Sequence, residues 1–182
     1  MKQFILILVL APLFLYADTK MEIYKLYQDK NYETACQLAE SALSTNRTDE
    51  EFLSVYAFSC LKIDKVDQLA PAITGLKKSK ESRANAAYFS VILMQKSLLM
   101  HALNDQFDLH PMHFPTSTYI LSTVYNLYAK DTGSKKRRRY NYIDPSDAKK
   151  SYRLFVTKTG TSPKMVIEEY YDKILSQRHI YW

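Results

Sequence analysis

Glycine is scarce in this chain, with three in 182 residues, and runs of strictly alternating polarity are short. Both argue against a sheet with one solvated face, whose strands alternate with a period of two. Cysteine is limited to Cys36 and Cys60, with no CxxC spacing, which removes dithiol redox chemistry. No nucleophile stands at a recognisable spacing from a base, so no catalytic role and no cofactor are expected. Beyond the first residues, no segment reads as apolar for long enough to span a bilayer.

The chain opens MKQFILILVLAPLFLYADTK. Lys2 precedes an uncharged apolar stretch from Phe4 to Tyr16, interrupted by Pro12, and Ala17 offers a small residue before Asp18 and Lys20. A charged start, a short apolar core and a small residue at the cut describe a secretory signal peptide over residues 1–17. The alternative is an uncleaved anchor, for which thirteen residues are short of the roughly 20 needed. The expected location is therefore exported, in a bacterial periplasm. Export removes most nucleic acid from the possible partners, and no cysteine follows the apolar core to carry a lipid.

In the remaining chain, apolar residues recur at spacings of three and four, the helical signature. Phe52, Leu53, Val55, Tyr56, Ala57, Cys60, Leu61 and Ile63 cover a broad face of one helix. Helices are predicted near 19–30, 32–45, 49–63, 66–78, 82–104, 116–130, 145–157 and 163–178. Asp49 before Glu50 and Glu51, and Asp144-Pro145 before Ser146, read as helix starts with negative charge in the first turn. Ser162-Pro163 reads as a cap with proline at the first helical position. The predicted fold class is all-α.

Helix pairs about 34 residues apart are the next feature. DKNYETACQLAESAL holds a polar turn, Tyr32, Ala35 and Ala42. A shift of 34 carries these to Val66, Leu69 and Leu76, and carries Ile23 to Ala57 and Tyr27 to Leu61. A second shift reaches Val91, Gln95, Met100, Leu103 and His110, with Pro115 closing the pattern. Residues 18–115 thus resemble tetratricopeptide repeats, without the glycine and tryptophan usual in the first helix; a generic helical bundle is the alternative. The resemblance implies antiparallel helix pairs stacked as a short solenoid, followed by additional helices over 116–182. It also implies a groove lined by the first helix of each pair, with Tyr24, Gln28, Phe58, Lys62, Tyr88 and Lys96 facing a peptide or helix of an envelope protein. The same aromatics could instead serve the core.

Cys36 and Cys60 are an even pair in a chain expected to meet an oxidising compartment. If the helix near 32–45 turns back into that near 49–63, antiparallel pairing sets residue 36 level with about residue 59. A bridge linking the two helices is the expectation, and two buried thiols are the alternative.

Two serine-x-x-lysine pairs, Ser59–Lys62 and Ser146–Lys149, and Lys158-Thr159-Gly160 imitate penicillin-binding enzymes. The second pair lies too close to Lys158 for an intervening domain. No serine-x-asparagine follows the first, and the lysine-threonine-glycine motif of those enzymes needs a strand. His101, His110 and His113, with Met100 and Met112, offer imidazole and thioether for copper or zinc, the basis of a second reading as a metal- or small-ligand-binding envelope protein. No cysteine or carboxylate completes the set.

Charge divides the molecule unequally. Residues 18–130 carry twelve Lys plus Arg against thirteen Asp plus Glu, whereas residues 131–182 carry twelve against six, a net of +6. Five cations, Lys135, Lys136, Arg137, Arg138 and Arg139, fall in a predicted loop over 132–144 between two helices. Two readings stand: a solvated loop, or contact with an anionic surface, whether lipid, envelope polymer or an acidic face of a partner.

Overall fold

The computed structural model describes residues 19–133, 137–158 and 162–182. It is mixed α/β, which corrects the all-α expectation: helices run as far as Lys130, and a four-stranded antiparallel sheet follows. The predicted signal peptide, Lys135 and Lys136 lie outside the described residues. Two compact units divide between Phe89 and Ser90.

The first unit is built from helix pairs. Helix α1 spans 19–28, α2 is Tyr32–Ser41, a 3-10 turn covers Leu43–Thr45 and α3 is Glu50–Leu61. A second 3-10 turn, Val66–Leu69, runs into α4, Ala70–Gly75, and α5, Lys80–Asp105, begins in this unit. Asn31 caps α2, its side-chain oxygen accepting from the Thr34 amide at 3.5 Å and from the Thr34 hydroxyl at 2.9 Å. Asp49 caps α3 by accepting from the Phe52 amide at 3.1 Å, as the sequence predicted.

A shift of 34 residues carries Tyr32–Ser41 onto Val66–Gly75. It also carries Lys30 onto Asp64, whose φ values of 61° and 63° place both in the left-handed region. The two turns thus share one uncommon backbone conformation at the same place in the repeat. Lys20 donates to Asp49 at 2.6 Å, bringing the starts of α1 and α3 together, and Lys65 reaches Glu33 at 3.4 Å. The core holds Ile23, Ala35, Cys36, Ala39, Phe52, Leu53, Tyr56, Ala57 and Cys60. Alanines on α2 let α3 approach, and Cys36 is bonded to Cys60 with the Cα atoms 5.0 Å apart.

Glu50 ties the start of α3 to the segment after α4, accepting from the Lys77 and Lys78 amides at 2.5 and 2.6 Å. The Lys77 amide foremost, then that of Lys78, holds its carboxyl down at about 2. A depressed carboxyl stabilises the fold fully above the unfolded value near 4.3, and that contribution is lost as pH falls toward 2. Glu50→Gln should therefore flatten the acid limb of unfolding free energy between about pH 4.5 and 2. The measurement is urea unfolding across that range, and a limb unchanged from the parent would refute the linkage.

The second unit holds the rest of α5, α6 (Ile120–Lys130) and strands β1 (Arg139–Ile143), β2 (Lys150–Thr157), β3 (Lys164–Tyr171) and β4 (Ile174–Tyr181). The strands form a meander in chain order. By length and composition alone α5 could cross a bilayer, contrary to the sequence reading. Its positions Phe89, Ile92, Gln95 and Leu99 are fully buried, so one face of the helix packs into the protein. Gln95 accepts from the Ser122 hydroxyl at 2.6 Å and donates to the Pro115 carbonyl at 3.3 Å, so its buried amide is satisfied at both ends.

The region predicted helical over 145–157 and 163–178 is strand for identifiable reasons. Asp144 accepts from both the amide and the hydroxyl of Ser146, and its own amide donates to the Lys150 carbonyl at 3.0 Å. The residues that looked like a helix cap make a turn between β1 and β2, since Asp serves either role. Asp172 and Lys173 both have positive φ, 47° and 67°, between paired Tyr171 and Ile174. This is the two-residue hairpin geometry whose twist matches the strands.

On the inner sheet face, Tyr140, Tyr152, Leu154, Met165, Ile167 and Tyr181 are buried. The Tyr140 ring meets that of α6 residue Tyr128 at 5.0 Å, and the Tyr142 hydroxyl donates to Asp131 at 3.2 Å.

Candidate functional site

Helix α3 and its C-cap Lys62 present Glu51, Val55, Phe58 and Lys62 at successive spacings of four, three and four, which align on one face. The two end residues are exposed and the two middle ones half-buried. Beside Glu51 and Val55, α1 contributes Tyr24 and Gln28 to a hollow of about 310 Å³. One turn further, the Phe58 ring meets Tyr88 at 6.2 Å and Phe89 at 4.8 Å. Five of the residues expected to line a groove are thus distributed along α1, α3 and α5 of the first unit. The Tyr24 hydroxyl is buried, with the Lys20 ammonium 5.5 Å from the ring centre. Burial foremost pushes this phenol up, so it stays a neutral donor.

Lys96 differs from that group. It belongs to the second unit and is 7% exposed, and its ammonium donates to the Trp182 carbonyl.

A larger hollow of about 740 Å³ lies between α3 and α4, lined by Leu43, Leu53, Ala70 and Pro71 together with Glu50, Arg47, Lys77 and Lys78. Sequence reasoning passed over it. Its three cations sit in two separate connections, at 47 and 77–78, and only the fold brings them to one opening.

The histidines stay apart from any assembled metal centre. His101 Nδ1 lies 2.8 Å from Asp105 Oδ2 and its ring stacks on Phe107 at 4.6 Å. His110 and His113 are exposed. Among the described residues, no three His, Cys, Asp or Glu side chains come together as ligands. Of the serines considered, Ser59 is fully buried and donates to the Val55 carbonyl at 2.7 Å, so its hydroxyl cannot meet a substrate. The premise that no strand lies near Lys158 is corrected, because β2 ends at Thr157.

The basic run feeds a strand, not a second helix as predicted. Arg137 pairs with Asp131 at 3.4 Å, Arg138 is exposed, and Arg139 opens β1 with its guanidinium 5.5 Å over the Phe155 ring. No family model, curated protein or solved structure matches the chain.

Proposed function

We propose that this chain is an exported, non-catalytic adaptor that holds a segment of another envelope protein along the α1–α3–α5 strip. The observation carrying this reading is the line of half-buried rings and exposed polar ends from Tyr24 and Gln28 through Val55 and Phe58 to Tyr88. Amphipathic rings anchor a partner at little entropic cost, and a polar rim sets its register. The recurrence of helix and turn at 34 residues supports a repeat of the tetratricopeptide kind, whose first helices line one surface. Export rests on the features of residues 1–17, and the Cys36–Cys60 bond is in keeping with an oxidising compartment.

Photo-crosslinking amino acids at Gln28 and Lys62, with one at Gln37 on α2 as the comparison, test the strip in living cells. A discrete adduct from the first two positions and none from the third is the expected result. Equal labelling from all three, or none from any, would remove the groove.

A further inference from the structure

We infer that the outer face of the sheet is a docking surface for an anionic phospholipid membrane. Strand register places on this face three rows running across the sheet. One is Asn141, Arg153, Glu168 and Arg178; the rows beside it are Arg139, Phe155, Val166, Ile180 and Ile143, Ser151, Tyr170, Leu175. The opposite face carries the tyrosines that meet α6, so these rows point away from it.

The middle row is a fixed device. Glu168, 4% exposed, accepts from Arg178 Nε and Nη2 at 3.0 and 2.6 Å, from Arg153 Nη1 at 3.3 Å and from the Tyr170 hydroxyl at 2.7 Å. Both carboxylate oxygens are engaged, and one buried acid holds two guanidinium groups on this face. The side chains of Arg153 and Arg178 remain 38% and 53% exposed. With Arg139 and Lys164, four cations face outward against this one carboxylate, a net of +3. They belong to the part of the chain that carries the excess charge, and the Arg137–Arg139 segment leads directly onto the same face.

Interleaved with the charges are exposed apolar groups: Ile143 at 67%, Leu175 at 44%, Ile180 at 38% and Trp182 at 56%. Aliphatic side chains set among cations suit the headgroup boundary of an acidic bilayer. Single-stranded nucleic acid would need open ring faces on which bases stack. Here cations already cover the rings: Arg139 over Phe155 at 5.5 Å, Arg153 over Tyr170 at 5.0 Å and Lys164 over Trp182 at 5.1 Å. The surface thus offers charge and aliphatic groups and withholds stacking. This inference shares the proposed export with the adaptor reading but uses none of its groove residues.

Vesicle co-sedimentation of the chain from Asp18 onward tests it, with no peptide partner present. Binding to phosphatidylcholine vesicles containing phosphatidylglycerol, little binding to phosphatidylcholine alone, and release by salt are expected. Each cation removed should weaken partition about fivefold, so Arg139→Gln with Lys164→Gln should cost roughly 25-fold. Ile143→Ser with Ile180→Ser should abolish the binding that survives added salt. These four side chains stand clear of the Glu168 cluster, and unchanged thermal unfolding would confirm that the variants fold. The inference is overturned by equal binding to both vesicle types or by none. Loss of binding in Arg137→Gln with Arg138→Gln, without loss in the face variants, would overturn it in favour of the loop. So would a dimer that the Ile substitutions dissolve, with no lipid bound, since a second copy would then occupy the face.

Discussion

Reducing the Cys36–Cys60 bond should destabilise the helical unit by roughly 3 kcal/mol. The bond joins residues 24 apart in sequence, and in the chain-entropy picture its removal frees a loop of that size in the unfolded state. Both cysteines are fully buried between α2 and α3, so reduction removes the cross-link while both sulfur atoms stay in the chain. In a unit of this size the expected fall in melting temperature is on the order of 10 °C or more. Cys36→Ala with Cys60→Ala should fall further, because two buried sulfur atoms are also lost. Calorimetry with and without dithiothreitol reads both effects. A native protein with titratable thiols and an unchanged melting temperature would show that the two cysteines do not cross-link the helices in solution.

That bond was accessible to sequence reasoning because helices convert spacing into position. Apolar residues three and four apart marked α3, Asp49 fixed where it begins, and antiparallel register then set Cys36 opposite Cys60. The sheet offered no such handle. Its inner face follows the period of two through Tyr152 and Leu154, but the outer face is also apolar at Phe155, Val166 and Ile180, which erases the alternation. In β3, Met165, Val166 and Ile167 are consecutive and all buried, a short run that periodicity cannot assign. The hairpin after it turns on Asp172-Lys173, where the usual signal is a glycine.

The outer-face cluster was hidden for a related reason. Asn141, Arg153, Glu168 and Arg178 are separated by 12, 15 and 10 residues, and only strand pairing makes them one row. The basic run was conspicuous because its cations are consecutive, yet Lys135 and Lys136 carry no described geometry and Arg137 is tied to Asp131. Arg139 alone among the five was both visible in the sequence and placed by β1 on the outer face.

The strand assignment itself makes the second large prediction, through two isoleucines of one hairpin. Ile167 and Ile174 are seven residues apart, which on the helix expected over 163–178 would set them on one face with comparable costs of truncation. In the sheet they part. Ile167 is fully buried on β3, paired with Leu154 on one side and His179 on the other. Ile174 opens β4 just past the turn and is 73% exposed. Ile167→Ala should therefore cost about 2–5 kcal/mol, a large part of the 5–15 kcal/mol typical of a whole domain. Ile174→Ala should stay within about 0.5 kcal/mol of the parent. Ile143→Ala, at 67% exposure on the outer face, should match Ile174→Ala. Urea unfolding of the three variants measures the differences directly. Equal, large losses at 167 and 174 would restore the helix, whereas a loss confined to 167 follows from a side chain alternating into the core on a central strand.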